Sequence, residues 1–233
     1  MRARRARWAA LTAADARGES LQRLQAAHRA CTRCVDAGCI PSARPVFSGH
    51  AGQRILLVGQ APGPVERDVA RPFAGRAGRQ LMRWMVRAGF RDEEDFRARV
   101  YMTSVTTCFP GRRADGSGDR RPSAREVALC APWLDGVLEL LEPRLVITAG
   151  SLALSRLMPS RRRLEDLVGG ALLADGGDAP DDPAGVARVL LPLPHPSGQS
   201  RWLNEPTRVA LLDGALRRLR RLTAWAEGAR ATV

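Results

Sequence analysis

The sequence predicts an α/β protein in three layers: a central, mostly parallel four-stranded sheet with helices on both faces. Three observations predict it. Short continuous apolar runs of strand length recur along the chain, as strands buried on both faces require. Segments between them carry apolar residues at helical spacing. The 233 residues suffice to bury a sizeable core.

Leu11 to about Ala30, with Leu21 and Leu24 among polar residues, reads as a helix that delivers the chain to Cys31. Arg54-Ile-Leu-Leu-Val-Gly59 reads as the first strand. A Pro/Gly-rich loop through Phe73 and Gly75 follows, then a helix from about Gly78 to Ala88 with Leu81, Trp84 and Met85 on one face. Val100 to Val105 is the second strand, and Pro122-Ser-Ala-Arg-Glu126 opens a helix through Leu141. Leu145 to Ala149 is the third strand, closed by Gly150-Ser151 at the mouth of another helix. Val186 to Leu193 is the fourth, and Glu205 to Ala226 a final amphipathic helix. Arg112–Arg121 and Asp175–Gly185 are polar and turn-rich, and are expected to be mobile surface loops. The chain reads as a single domain over 1–233, with a disordered arm at 1–10 and a tail at 228–233.

No apolar run approaches a membrane span, and the Arg-rich start Met1 to Trp8 leads into no signal-peptide core, so the expected compartment is the cytoplasm, of bacterial type, with a monomer at work on the nucleoid. The net charge of +13 and pI of about 11.3 point to an anionic partner, most simply nucleic acid. Every basic residue but the histidines is Arg, and Ala, Gly and Pro are abundant, a bias that genome base composition also produces. The sign of the charge is therefore more informative than the choice of Arg.

Cys31 and Cys34 form a Cys-x2-Cys pair, and Cys108 and Cys130 follow far downstream. Reduced thiols at this spacing read as one soft-metal site, iron–sulfur or zinc; the alternative is buried free thiols. Cys39 reads as a core thiol. Four thiolates would leave zinc no open position for water, which disfavours zinc hydrolysis.

In open parallel sheets, ligands gather outside the carboxyl ends of the strands. Gly59-Gln-Ala-Pro-Gly63, Ser104, Gly150-Ser151 and His195-Pro-Ser197 all fall there. The helix N-terminal amides at Gly150 and Ser151 are suited to a phosphate. Taken alone, each segment also reads as ordinary loop, and His195 before a proline more readily so than as a catalyst.

Together these segments resemble a known family. Gly59-Gln-Ala-Pro-Gly63 with Glu66 and Arg71-Pro-Phe-Ala-Gly-Arg-Ala-Gly78 looks like the first motif of the uracil-DNA glycosylase superfamily, iron–sulfur family 4 type with family 5 features. Tyr101 to Cys108 and Pro122 to Cys130 are similar to its second cysteine segment, and His195-Pro-Ser-Gly-Gln-Ser200 to its second catalytic motif. The resemblance covers roughly Cys31 to Leu219. It implies a 4Fe–4S cluster on Cys31, Cys34, Cys108 and Cys130, structural in role and tying the N-terminal helix to the loop after the second strand. It implies a DNA glycosylase of base-excision repair, hydrolysing the N-glycosidic bond of a flipped uracil or related deaminated base. Phe73 would stack on the base, backbone amides of Gln60 and Ala61 would meet its carbonyl edge, and His195 would donate to the pyrimidine O2. The loop after His195 would serve DNA, with Ser197 beside Gln199, Arg201 and Trp202 as gap-filling candidates. Arg112, Arg113, Arg120 and Arg121 would lie along the phosphates.

Three positions depart from the pattern. Gln60 stands where family 4 usually has an acid, Arg76 where family 5 has one, and Ser104 where an Asn commonly reads the uracil edge. Glu66 is then the matching carboxylate for handling water, with Asp68 nearby. These departures leave open a different damaged base, or a DNA-binding protein of the same fold without catalysis.

Overall fold

The computed structural model describes residues 2–158, 162–197 and 201–228. In chain order they form α1 (Arg2–Arg29), α2 (Arg33–Asp36), β1 (Ile55–Gly59), α3 (Pro64–Val69), α4 (Arg76–Arg87), α5 (Glu93–Arg99) and β2 (Val100–Ser104). Then come α6 (Ala124–Leu141), β3 (Leu145–Ala149), α7 (Ser151–Leu157), α8 (Leu164–Leu167), β4 (Val189–Leu193), a 3-10 turn (Arg201–Asn204) and α9 (Pro206–Ala226).

The strands pair in the order β2-β1-β3-β4, all parallel. Every strand residue is buried, because helices cover both faces and the apolar runs have no wet side to alternate towards. Alternate side chains serve opposite cores. Ile55, Leu57, Met102, Ile147 and Leu191 pack with α4, α5 and α9, whereas Leu56, Val58, Tyr101, Val146 and Leu190 pack with Leu21 of α1 and with α6 and α7. Serine starts α6 well: Ser123 accepts from the Glu126 N–H while Glu126 accepts from the Ser123 N–H, so two otherwise orphaned donors are satisfied.

The strand order reverses at β1, which has β2 on one side and β3 on the other. The carboxyl ends of β1 and β3 therefore flank the crevice where this class of sheet binds ligands.

Several boundaries and loops differ from expectation. The backbone is helical from Arg2, where the sequence suggested an arm over 1–10. The last strand begins at Val189, because Val186 N–H closes a turn onto Pro183 O at 3.0 Å instead. The segment Arg112–Arg121, expected to be mobile, is a paired hairpin: Arg112 bridges Asp119, and Arg120 N–H donates to Gly111 O at 2.9 Å. Asp175–Gly185 is likewise anchored, since Asp178 bridges Leu172.

Candidate active site and cysteine cavity

All four strands deliver a residue to the crevice. Gly59 ends β1 in register with Ser104 of β2. Beyond that pair the two chains stay joined, Val105 N–H donating to Gly59 O at 2.9 Å and Thr106 N–H to Gln60 O at 3.3 Å. The loop Gln60 to Gly63 is thus fastened to the segment that leads to Cys108. A Cβ on Gly59 would stand 2.9 Å from Phe73 Cζ and 3.1 Å from Ser104 Oγ, so only glycine lets ring, hydroxyl and strand end converge.

Phe73 is held by unusual means. Its φ of +53° lies in the left-handed region, which a bulky side chain occupies only where surroundings impose it. The carbonyls of Pro72 and Phe73 accept from Arg97 Nη2 at 3.0 and 3.5 Å, and the Phe73 carbonyl also presses on Gly78 of α4. A Cβ at Gly78 would sit 1.8 Å from Phe73 O. Gly→Ala inside a helix ordinarily stabilises by about 1 kcal/mol. Here the sign reverses: Gly78→Ala is expected to cost about 2 kcal/mol through overpacking and to displace the Phe73 ring. Thermal denaturation and base-release rate, measured together, check it.

Glu66 carries the strongest local argument. Its Oε2 accepts from Gly63 N–H at 3.1 Å and its Oε1 from Gly75 N–H at 2.8 Å. One carboxylate therefore clamps the loop after β1 to the loop carrying Phe73. Each oxygen takes one backbone N–H, so Glu66 positions the pocket walls, and each keeps a further lone pair for the water-handling role the sequence suggested. Charge-assisted bonds of this kind contribute about 1.5–3 kcal/mol each. Glu66→Ala is expected to lower kcat and the melting temperature together, and Glu66→Gln, which retains one acceptor, to fall between. Asp68 is exposed and paired with Arg67 Nε at 2.8 Å.

His195 follows β4 and lies against Gly150, the residue after β3, whose φ is +94° and whose added Cβ would stand 3.2 Å from both His195 Cβ and Cδ2. Ser197 N–H donates to His195 Nδ1 at 3.2 Å, and Ser197 Oγ lies 2.9 Å from the same nitrogen. A backbone N–H can only donate, so Nδ1 is the acceptor and the neutral ring carries its proton on Nε2. Burial lowers the His195 pKa from its ordinary 6.5. The histidine is thus a neutral Nε2–H donor.

Other expected DNA contacts are rearranged. Gly150 N–H is spent on Leu193 O at 2.9 Å, leaving Ser151, exposed at the start of the short α7, as the open end of that pair. Arg120 is bidentate on Glu126, both bonds 2.7 Å, and reaches Cys39 O at 3.2 Å, so it fastens the hairpin instead of facing phosphate. Arg112, Arg113 and Arg121 are exposed. Trp202 is buried in the core shared with α9 and is not positioned as a wedge. Gln199 and the Arg201 side chain lie outside the described residues.

One carboxylate at this site escaped the sequence reading. Asp119 Oδ2 would be 3.4 Å from a Cβ on Gly63. Partial desolvation, and secondarily Glu66, push its pKa up against the pull of Arg112. The available signal was the Asp115-Gly116 turn, a hairpin signature that brings Asp119 back beside Arg112.

The cysteines meet elsewhere. Cys31, Cys34, Cys108 and Cys130 line one cavity with apolar Ile40, Ala43 and Pro45. Among the described residues no group of three His, Cys, Asp or Glu is placed to hold a single metal ion, so the sulfurs surround a space instead of meeting at a point. Burial, followed by mutual repulsion of the sulfurs, pushes Cys34 up to about 11; burial pushes Cys108 up to about 12. Burial likewise raises Cys130. Thiols that disfavour their own ionisation need a cationic centre to become ligands, and four sulfurs around one cavity are a donor set that suits an iron–sulfur cluster. Cys39 does not line it.

A family model described as the uracil DNA glycosylase superfamily matches residues 47–220. The chain belongs to that superfamily. It is 31% identical over 149 residues to a type-4 uracil-DNA glycosylase of Pyrobaculum aerophilum, covering 64% of this chain and 70% of that protein. To the type-4 enzyme of Thermotoga maritima it is 34% identical over 110 residues, 47% of this chain and 52% of the relative. A type-5 uracil-DNA glycosylase of Pyrobaculum aerophilum is 31% identical over 115 residues, 45% and 48% of the two chains. The matched span of the superfamily includes every crevice residue described above, from Gly59 to His195, together with Cys108 and Cys130; Cys31 and Cys34 precede it.

Proposed function

We propose that the protein is a monofunctional DNA glycosylase that hydrolyses the N-glycosidic bond of uracil in DNA, as the first step of base-excision repair. The observation that carries the reading is the Ser197 N–H to His195 Nδ1 bond, which leaves an Nε2–H donor at the mouth of a crevice walled by Phe73 and Gly59.

A flipped pyrimidine stacks on Phe73, with its edge toward Ser104 and the loop amides of Gln60 and Ala61. As the sugar–base bond lengthens, negative charge grows on the pyrimidine O2, and His195 Nε2–H donates to it. Stabilising developing charge with a preplaced donor is the largest single term in many enzymes. The sugar becomes oxocarbenium-like and is captured by water. Asp119, beside Gly63 and held by no clamp of the Glu66 kind, is the carboxylate we assign to that water. The excess of Arg over acidic residues draws DNA in, and the exposed Arg112 and Arg113 sit on the hairpin next to the crevice. No described helix is long and apolar enough to cross a membrane; a cytoplasmic, monomeric enzyme is part of the proposal.

Cys31, Cys34, Cys108 and Cys130 would hold a 4Fe–4S cluster. Its contribution is structural, since N-glycoside hydrolysis transfers no electrons.

The test is base release from oligonucleotides bearing uracil, hypoxanthine or xanthine, paired and single-stranded. Alkali-labile sites at uracil are the expected result. Release from hypoxanthine or xanthine alone would move the substrate, following Ser104 and Gln60. Tight binding without release would replace the enzyme with a DNA-binding protein.

A further inference from the structure

Polar groups from α6 and from the segment after β2 reach two of the cavity's sulfurs. Cys130 and Trp133 lie one helical turn apart on α6 and face the same way. Trp133 Nε1–H donates to Cys31 Sγ at 3.3 Å. Thr107 Oγ1 lies 3.6 Å from Cys130 Sγ and 2.8 Å from His28 Nε2.

The direction of these contacts follows from the ligand chemistry. A thiolate bound to iron has no proton and can only accept. The Thr107 hydroxyl then donates to Cys130, and its oxygen accepts from His28 Nε2–H. His28 is suited to that role: it is 2% exposed and its Nε2 faces the Thr107 hydroxyl.

The ring cannot turn away. It is stacked between Phe47, centroids 4.5 Å apart at 11°, and Trp133, 4.6 Å apart at 6°. Arg29 caps the Phe47 face at 5.0 Å and Arg33 the Trp133 face at 5.0 Å. Three rings between two guanidiniums fix at once the imidazole that orients Thr107 and the indole that donates to Cys31.

We propose that Trp133 and the His28–Thr107 pair form a hydrogen-bonding shell for the cluster's sulfur ligands and protect the cluster against oxidative loss. The inference rests on the reading of the four cysteines as iron–sulfur ligands. Hydrogen bonds to ligand sulfurs stabilise the more negatively charged state of a cluster and raise its reduction potential. A higher potential makes the first oxidation, with which iron loss in air begins, harder. His28 acts on the Cys130 sulfur only through Thr107, while its carbonyl accepts from Cys31 N–H at 3.0 Å, so it is a positioning residue.

The test uses full-length protein reconstituted with iron and sulfide without oxygen. Iron content and the iron–sulfur absorbance band are measured first, then the reduction potential, then loss of the band in air. Trp133→Phe keeps the stacked ring and removes the N–H; Thr107→Val keeps the shape and removes the hydroxyl; Thr107→Ser keeps the donor. The expected result is a more negative potential and about tenfold faster loss for Trp133→Phe and Thr107→Val, with Thr107→Ser near wild type. Wild-type potential and loss rate in both of the first two variants would overturn the shell. Equal shifts in Thr107→Val and Thr107→Ser would also overturn it, by showing that packing and not the hydroxyl matters. Wild type that takes up no iron would overturn the ligand reading itself, before any variant is compared. Circular dichroism establishes that each variant is folded, and Trp133→Phe tests the shell by itself if Thr107→Val does not fold.

Discussion

His195→Ala is expected to lower kcat for uracil release by about 10²–10³-fold, with the affinity for uracil-containing DNA changed little. The loss falls on kcat because the Nε2–H bond strengthens only as charge develops on the leaving base. Stability is expected to stay near wild type, since the ring caps a crevice and is only half-buried. The pH profile separates this role from a structural one. Burial lowers the His195 pKa below 6.5, so the ring is still more than half neutral at pH 6.5 and the acid limb of activity lies below that of a free histidine. Activity declines only when pH drops through the lowered value, where Nδ1 gains a proton and can no longer accept from Ser197 N–H. The stability linkage has the same sign: the contribution of the neutral ring is complete above 6.5 and is lost as pH falls through the folded-state pKa. Single-turnover assays across this range check both statements. An acid limb that persists in His195→Ala belongs to another group, and undiminished release by that variant removes His195 from the chemistry.

The sheet was legible because its strands are buried on both faces, and such strands appear as unbroken apolar runs that need no periodicity analysis. Leu145 to Ala149 matches β3 at both ends for this reason. Where boundaries moved, local turns decided: Pro183 and Gly185 lie just before the expected fourth strand, and Val186 was captured by that turn. Within the site, Gly59, Ser104 and His195 were placed at the crevice by their strand ends, whereas a role for His195 came only with the family resemblance. Contacts between distant loops were not. That Glu66 is a clamp depends on Gly75, nine residues away, being folded back onto it. That Asp119 stands beside Gly63, and that Arg120 is consumed by Glu126, depend on a hairpin whose own sequence is polar and reads as solvated loop. Trp202 was equally compatible with a DNA wedge or a core anchor, and the packing of α9 made it the second. The four cysteines were legible as a group, but the polar groups beside their sulfurs were not, because His28, Thr107 and Trp133 come from three separate segments and none has a distinctive neighbour.

Cys108→Ser is expected to yield protein with little or no iron and a melting temperature lower by roughly 10 °C or more, taking about 4 kcal/mol lost and the usual shift of about 2–4 °C per kcal/mol for a chain of this size. The magnitude follows from topology. Cys31 and Cys34 sit at the end of α1 and in α2, Cys108 follows β2, and Cys130 lies within α6. A cluster in the cavity would cross-link these segments, and its binding energy would be folding energy. Removing one ligand leaves three thiols around the cavity with no cation among them, and the segment after β2 loses its anchor. Because Val105 and Thr106 on that segment donate to Gly59 and Gln60, the loss reaches the crevice, and base release is expected to fall with stability. Cys39→Ser is the control: Cys39 lies outside the cavity lining and contributes to the neighbourhood through its carbonyl, which accepts from Arg120. That variant is expected to keep its iron, melt near wild type and retain activity. Iron loss in both variants would mean that the ligand set is drawn wrongly, whereas full stability in Cys108→Ser would mean that the fold closes around this cavity without a metal.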